Sequence, residues 1–289
     1  MKPLKNTFLI LSSIVAISCS LVGQGDSLLH HWTFDEGTGS VAADTVSAAD
    51  GVIIGATWTE DRFGQAGMAI QTGNGMWVDP PNTVKTETGT FSAWIYADAW
   101  GGYNQPAGPI FSAEQGSGGS NFSYRLQLNN TGVIAFEAIA PWGNGASRVA
   151  VSDSTIPLST WTHVAGTYDG YTTKVYINGK LDGSSETYDN YAGMNTSDFI
   201  RVGIGHLQGW SVQWFQGRID DAMVHNNALT AEEFQQMAGT WNGYAVDENG
   251  WADTGDWIGW VYVANQPWVW IDDLMSYVYF HESGWIWVP

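Results

Sequence analysis

Two short acidic stretches lie far apart in the chain and carry side chains that could bind a hard metal ion. The first spans residues 31–44 and reads "HWTFDEGTGSVAAD", with Asp35, Glu36 and Asp44 around two glycines. Proteins bind Ca²⁺ through about six to eight oxygen atoms, commonly from carboxylates and backbone carbonyls. Glycine lets a loop turn its carbonyls towards such an ion. This stretch is therefore a candidate half of a calcium site, although Asp35 and Asp44 could instead cap turns.

The second acidic stretch spans residues 217–225 and reads "GRIDDAMVH". Side chains alternate between the two faces of a strand, so Asp220 is predicted to share a face with Ala222 and Val224. A carboxylate on an apolar face is at least partly buried, and an unpaired buried charge is costly. Because Arg218 is the last lysine or arginine of the chain, we expect a bound cation to be the partner of Asp220.

Aromatic residues outside the predicted strands indicate a second kind of chemistry. A flat ring beside amide and carboxylate groups can hold a sugar, because the ring stacks on the sugar while the polar groups bond to its hydroxyls. The candidates lie in glycine-rich loops: Trp100 and Tyr103 in "DAWGGYNQP", Trp142 in "APWGNGAS", and Trp210 and Trp214 in "GHLQGWSVQWF". The alternative is that these rings only anchor loops. By contrast, Trp32, Trp94 and Trp161 fall within predicted strands and are expected in the core.

The elements that position these residues are predicted to be short β-strands. Period-2 alternation marks strands at residues 90–97, 123–129, 132–139, 161–168 and 174–185. Asn178 and Gly179 interrupt the last of these and predict a two-residue hairpin turn with positive φ at both positions. A helix is expected in "LTAEEFQQM", where Thr230 and Glu233 have capping-box spacing.

The composition limits the classes of function. The chain has 29 acidic against 10 basic side chains, a formal net charge of −19. Such a surface repels phosphate backbones and anionic lipids, so we expect no nucleic-acid partner. The 35 glycines, together with many strand-forming residues, favour an all-β domain with tight turns.

The first 25 residues have the layout of an export signal. Lys2 and Lys5 precede an apolar run that ends near Ile17, which is shorter than the roughly 20 residues that span a bilayer. Cys19 is the only cysteine and follows "AIS", a loose match to a bacterial lipobox, so a lipoprotein is an alternative to a freely secreted protein. A single cysteine allows no intramolecular disulfide.

Four stretches, taken in order, resemble the laminin-G-like jelly-roll domains of the concanavalin A-like lectin and glucanase group. They are the residues already quoted at 31–44, "TWTEDRFGQAGMAIQTGNGMWVDPP" (57–81), "WTHVAGTYDGYTTKVYINGK" (161–180) and "FQGRIDDAMVHNNALTAEEF" (215–234). The resemblance covers about residues 28–238 and implies two curved antiparallel sheets packed face to face.

The resemblance also implies a structural calcium ion between the amino-terminal acidic turn and the late aspartate. Similar domains would assign this role to Asp35 and Asp220, and less securely to Asp44. The usual "IDEVRIY" of the family reads "IDDAMVH" here, so Met223 stands where the family has an arginine.

Catalysis is not expected. A glycoside hydrolase needs two nearby carboxylates, and the E-x-D-x-E strand of β-glucan-cleaving relatives is absent. Glu137 stands alone in its strand, and the six histidines show no metal-ligand spacing with one another. The basic and aromatic strands typical of alginate-type lyases are also missing.

The last 50 residues differ from the rest, with 8 of the 17 tryptophans and no lysine or arginine. "WVYVANQPWVWI" (260–271) aligns with "YVYFHESGWIWV" (277–288), and each copy reads as a hairpin. Isolated hairpins are marginal in water, so the two copies are expected to form a meander or to pack on another surface. This tail resembles terminal modules of secreted Verrucomicrobia proteins and, more distantly, aromatic repeats of cell-wall-binding proteins. A partner in the cell envelope or in an export system is the functional interpretation, and a small accessory sheet is the alternative.

The sequence therefore predicts an all-β protein: a two-sheet antiparallel jelly-roll sandwich followed by an aromatic hairpin module. The predicted divisions are a signal peptide at 1–25, a laminin-G-like domain at 26–240 and the tail at 241–289. We expect a secreted or cell-surface bacterial protein that binds a glycan or a cell-surface polymer and carries structural calcium. An adhesion or structural protein without a sugar site is the alternative, and a polysaccharide-degrading hydrolase or lyase is a more distant one.

Overall fold

The computed structural model describes most of the chain from residue 27 onwards. The described residues are 27–74, 77–80, 88–102, 107–114, 122–139, 147–185, 199–206 and 212–237, and the short strands between 240 and 287 given below.

Almost all regular elements are β-strands. The strands of the first half are β1 (Leu28–Trp32), β2 (Val41–Ala42), β3 (Gly51–Ile54), β4 (Thr57–Glu60), β5 (Ala66–Thr72), β6 (Trp77–Asp79), β7 (Gly89–Gly102), β8 (Ala107–Glu114), β9 (Phe122–Asn129) and β10 (Val133–Ile139). They are followed by β11 (Ser147–Thr155), β12 (Trp161–Tyr168), β13 (Thr173–Ile177), β14 (Lys180–Ser184), β15 (Phe199–Val202), β16 (Ile204–His206) and β17 (Val212–His225).

A short helix and seven further strands complete the described chain. They are α1 (Ala231–Met237), β18 (Thr240–Trp241), β19 (Tyr244–Ala245), β20 (Trp251–Asp253), β21 (Trp260–Tyr262), β22 (Trp268–Ile271), β23 (Ser276–Phe280) and β24 (Ile286–Trp287). Within the part of the chain that is described, no helix is both long enough and apolar enough to cross a membrane.

Two large antiparallel sheets form the body of the protein. The first has the strand order β14-β13-β12-β7-β17-β5-β4, and β1 and β16 also pair with β17. The second has the order β11-β10-β9-β8-β15-β6-β3-β2. Neighbours in these orders are often distant in sequence, as expected for a jelly roll rather than a simple meander. The predicted all-β, two-sheet architecture is confirmed.

The core lies between the two sheets. Phe91 of the first sheet contacts Phe111, Tyr124 and Phe136 of the second, with ring centroids 5.7, 5.3 and 6.0 Å apart. All four rings are at most 2% exposed. Residues that alternate with these core positions along each strand face away from the other sheet, and we call that side of the first sheet its outer face.

Two local predictions are confirmed in atomic detail. Asn178 and Gly179 connect β13 to β14 with φ values of 49° and 76°, as a type I′ turn requires. At the start of α1, the amide of Thr230 donates to Glu233 Oε2 at 2.7 Å, and the amide of Glu233 donates to Thr230 Oγ1 at 3.3 Å. This reciprocal pair is the predicted capping box.

The carboxyl-terminal tail contains a separate five-stranded sheet of order β20-β21-β22-β23-β24. The two copies of the aromatic repeat pair with each other through β22 and β23, where Trp268 lies opposite Tyr279 and Trp270 opposite Tyr277. The expected aromatic meander is therefore present.

Candidate functional site

A β-bulge in β17 positions the late aspartates. The pairing of β17 with β7 shifts between Asp220 and Met223, and Asp221 has a φ of 47°. Ile219 and Ala222 are both fully buried in the core, so the extra residue of the bulge interrupts simple alternation. The prediction that Asp220 shares a regular strand face with Ala222 is therefore wrong. Asp220 is nevertheless buried, with 3% of its surface exposed.

Arg62 is the positive partner of both aspartates. Its Nη1 lies 2.7 Å from Asp220 Oδ2 and 2.8 Å from Asp221 Oδ2. The guanidinium also stacks over the ring of Trp94, 4.9 Å from the centroid. On the other side of Asp221, His31 Nε2 lies 3.0 Å from Oδ1. One guanidinium is thus shared between two carboxylates.

Two glycine-containing loops meet above this bulge. A Cβ placed on Gly67 would lie 2.9 Å from the Cα of Gly37, so the loop after β1 touches the loop between β4 and β5 where that loop enters β5, at a point where Gly67 has no room for a side chain. The first loop carries Asp35 and the second carries Asp61 and Arg62. We call Asp35, Asp61, Asp220 and Asp221 the acidic junction.

The charges of the acidic junction shift one another's pKa values. Burial raises the pKa of Asp220 to about 8, and the negative charges of Asp221 and Asp35 add to this effect against the opposing charge of Arg62. Burial and the charges of Asp221 and Asp61 also raise the pKa of Asp35. The pKa of Asp221 is lowered, because its bonds to His31 and Arg62 outweigh its burial. The single guanidinium therefore does not balance the negative charge of the junction.

Asp44 occupies a different environment. Its Oδ1 accepts the amides of His31 and Val46, and its Oδ2 accepts Ser47 Oγ at 2.5 Å and lies 2.6 Å from His30 Nδ1. Burial alone would raise the pKa of Asp44, but these hydrogen bonds lower it to about 2. Each oxygen already has two partners, which is the turn-capping arrangement that was the alternative to metal binding.

The carboxylates of the acidic junction are of the kind that binds calcium. Two of them, Asp220 and Asp221, are already paired with the guanidinium of Arg62. Asp35, Asp220 and Asp221 offer oxygen ligands from two elements that are distant in sequence. Asp61 is engaged with its own turn, since its Oδ1 accepts the amides of Phe63 and Gln65. Among the described residues, no three or more His, Cys, Asp or Glu side chains are arranged as a metal site.

The predicted sugar-contacting aromatics are only partly described. Trp100 lies near the end of β7 and is 43% exposed. Its Nε1 donates to the carbonyl of Ile156 at 3.1 Å, and its ring covers Gly132, where a Cβ would lie 2.7 Å from the indole. Trp214 is half-buried in β17 opposite Ile204. Tyr103, Trp142 and Trp210 lie outside the described residues.

The strand tryptophans divide between the core and the outer face. Trp32 is fully buried in the core, as predicted. Trp94 and Trp161 are only half-buried and lie on the outer face, so their prediction as core residues is wrong. In "FSAWIYA" both sets of alternating positions contain large apolar or aromatic side chains, and such a strand does not reveal which set faces the core.

Sequence reasoning missed Arg62, which sits in the turn "EDRFGQAG". The scarcity of basic residues was a usable signal, since the whole chain has only 10 of them. Its target was not visible, because Asp220 is 158 positions away.

Comparison with known proteins identifies the family and the fold. A sequence profile described as the concanavalin A-like lectin/glucanases superfamily, of the laminin G type, matches residues 71–235. A search of curated proteins found no match.

Several solved structures are similar to this chain. Domain 4 of AbnA, a GH43 extracellular arabinanase from Geobacillus stearothermophilus in complex with arabinotriose, has 19% identity, a TM-score of 0.50, and alignment over 73% of this chain and 98% of that domain. A Trypanosoma rangeli sialidase has 16% identity and a TM-score of 0.53 over 73% of this chain and 32% of its own. The binding domain of botulinum neurotoxin DC in complex with SialylT has 15% identity and a TM-score of 0.54 over 74% of this chain and 52% of its own. The chain thus spans about a third of the sialidase and half of the toxin domain, and at these identities the likeness shows the fold alone.

Proposed function

Because the chain belongs to the concanavalin A-like lectin/glucanases superfamily, we propose that it is an exported, non-catalytic protein that binds a glycan or another cell-surface polymer. Fold alone does not decide function, so the proposal depends on side chains. It is supported by the sugar ligands in two similar structures, arabinotriose with the arabinanase domain and SialylT with the toxin domain.

Trp100 is the observation that carries this proposal. Its indole is held on one edge by the Ile156 carbonyl and on one face by Gly132, yet 43% of the residue remains exposed. A ring that is fixed in orientation loses little conformational freedom when a sugar stacks on it. An aromatic surface of this kind, next to loops rich in polar groups, suits sugar stacking.

The experiment is a glycan array with the full chain, followed by titration of the strongest hit. We expect Trp100→Ala to weaken binding about tenfold, equivalent to about 1.4 kcal/mol, by loss of the stacking surface. Tyr171→Ala is the matched control, since Tyr171 is an aromatic side chain in another loop and is 49% exposed. Equal affinity of the Trp100 variant and the wild type would contradict the proposed role of Trp100.

We propose in addition that calcium binds at the acidic junction through Asp35, Asp220 and Asp221. When bound, it would add positive charge beside carboxylates that Arg62 alone does not balance, and it would link the amino-terminal loop to β17. The raised pKa of Asp220 supports this proposal. We do not include Asp44 in the ligand set, because its oxygens are already bonded.

Calcium titration of the melting temperature tests this proposal. Extracellular modules bind calcium with Kd values of roughly 10⁻⁴ to 10⁻³ M, and tenfold excess over Kd stabilises the fold by about 1.4 kcal/mol. This corresponds to a rise of roughly 3 to 6 °C, which EDTA should reverse. Asp220→Asn should abolish the rise, whereas Asp98→Asn on the exposed surface should retain it. A wild-type melting temperature that is unchanged by both calcium and EDTA would rule out the site.

The ends of the chain lead to a proposal about location. We propose that residues 1–25 direct export and that the tail from residue 241 attaches the protein to the cell envelope or an export component. Mass spectrometry of the mature protein would distinguish cleavage after the leader from lipidation at Cys19. Cell fractionation with and without the tail would test attachment.

A further inference from the structure

A row of side chains crosses the outer face of the first sheet over five strands. Direct cross-strand pairs connect Trp161 of β12 to Tyr96 of β7, Tyr96 to Arg218 of β17, Arg218 to Gln71 of β5, and Gln71 to Thr57 of β4. Residues directly opposite each other in antiparallel strands point to the same face. We call these five residues the cross-strand row. Four strand spacings of about 4.8 Å make it about 19 Å long.

The aromatic end of the row is held rigidly. Tyr96 and Trp161 form an edge-to-face pair with centroids 5.7 Å apart. The Arg218 guanidinium stacks over Tyr96 at 4.6 Å, and its Nη1 donates to Glu60 Oε1 at 2.8 Å. At the polar end, Gln71 Nε2 donates to Asp98 Oδ2 at 3.1 Å. The two rings are therefore followed along the row by a guanidinium and an amide, each of which is bonded to a carboxylate beside the row.

The row lies on the part of the outer face that α1 leaves open. Phe234 of α1 is fully buried against Tyr176, at 4.5 Å between centroids, and packs with Ala165 and Leu229. These contacts cover the outer side of β12 and β13. At the other end of β12, Trp161 is half-buried, and so are Tyr96, Gln71 and Arg218, while Thr57 is exposed. The open part is thus a mixed aromatic and polar surface, not an uncovered piece of core.

From this geometry we infer that the cross-strand row is a second binding surface, separate from Trp100, for a neutral and extended polysaccharide. The half-buried ring of Trp161 suits the apolar face of a flat sugar ring. Tyr96, which carries the Arg218 guanidinium on its ring, suits sugar hydroxyls together with the polar side chains of the row. The length suits several consecutive sugars rather than one. Anionic polymers are disfavoured, because Arg218 is already paired with Glu60, Asp98 is exposed, and the chain carries a net charge of −19.

Isothermal titration of the full chain with xylohexaose, cellohexaose and polygalacturonate tests this inference. We expect at least one of the two neutral oligosaccharides to bind and polygalacturonate not to bind. Trp161→Ala and Tyr96→Ala should each weaken binding at least tenfold. Gln71→Ala should weaken it several-fold, and it removes a polar group while the ring pair stays in place.

Controls separate this surface from the site proposed at Trp100. Tyr171→Ala should bind like the wild type, and each variant should show the circular dichroism spectrum of the folded protein. Loss of binding in Trp100→Ala with unchanged binding in the Trp161, Tyr96 and Gln71 variants would overturn the cross-strand row while leaving the proposed glycan-binding function intact. Failure of both neutral oligosaccharides to bind the wild type, or tighter binding of polygalacturonate, would also overturn it.

Discussion

Arg62 and Arg218 make a matched pair of arginines at the residue scale. Each side chain is 22% exposed, each guanidinium stacks on an aromatic ring of β7, and each reaches an acidic partner 158 positions away. Their partners differ, because the side chain of Asp220 is 4% exposed and that of Glu60 is 55% exposed. The same interaction should therefore have different consequences for stability.

At about pH 9, above the pKa of about 8 that burial gives Asp220, we expect Arg62→Gln to lower the free energy of unfolding by about 3 kcal/mol, because it leaves the ionised and buried Asp220 without its positive partner. Arg218→Gln should cost about 1 kcal/mol or less, because Glu60 remains solvated. Urea unfolding at about pH 9 in EDTA measures both values, because Asp220 is ionised there. Equal losses in the two variants would show that burial of Asp220 does not set the strength of its pair.

The raised pKa of Asp220 should also be visible in the pH dependence of stability. Its pKa is raised to about 8, so the folded protein keeps a proton that the unfolded chain has released, and stability falls as pH rises towards 8. Burial lowers the pKa values of His163 and His225 to about 4, so these groups cost stability only as pH falls below about 6.5. Between about pH 7 and 8 we expect a fall in stability from Asp220 with a slope of at most about 1.4 kcal/mol per pH unit.

Urea unfolding at several pH values in EDTA measures this slope. Asp220→Asn should remove the fall between pH 7 and 8, whereas the loss of stability in acid should remain. An unchanged slope in the variant would assign the titration to another group.

At the element scale, the contact between two loops positions the acidic junction. Gly67 at the start of β5 has a φ of 82° and approaches the backbone of Gly37, whereas Gly64 in the loop before β5 has a φ of 78° and open space within 4 Å of the point that a Cβ would occupy. Both glycines occupy the left-handed region, which costs a residue with a side chain about 1 kcal/mol or more. Only Gly67 adds a backbone clash.

We therefore expect Gly64→Ala to lower the unfolding free energy by about 1 kcal/mol and Gly67→Ala to lower it by about 2 to 4 kcal/mol. The second substitution should also weaken the stabilisation by calcium, because it separates Asp35 from β17. Thermal unfolding with and without calcium measures both effects. Identical losses would mean that the loops do not depend on this contact.

At the scale of the whole molecule, net charge should influence stability. With 29 acidic and 10 basic side chains, the compact state carries self-repulsion that salt screens. We expect the melting temperature to rise between about 20 mM and 300 mM NaCl, two conditions that differ several-fold in screening length. Calcium chloride at matched ionic strength should raise it further, while magnesium chloride serves as the control. A melting temperature that falls with added NaCl would contradict this account.

Much of the fold was predictable because it depends on local patterns. Side-chain alternation located β7, β9, β10 and β12, and Asn178 with Gly179 specified a turn whose geometry needs only those two residues. The candidate sites were less predictable. The calcium role of Asp35 and Asp220 that the resemblance implied stays a prediction, although the charge of Asp35 contributes to the raised pKa of Asp220, whereas Asp44 is held by its own loop.

By itself, the sequence determined the strand pattern, the hairpin turn, the capping box and the aromatic meander, since each results from side chains close together along the chain. Only the tertiary structure decided that Arg62 meets Asp220 and that Trp94 and Trp161 face outwards. The face that a side chain occupies depends on how its strand packs against the other sheet, and an ion pair depends on the distance between two side chains in space. Neither quantity is written in the spacing of residues along the chain.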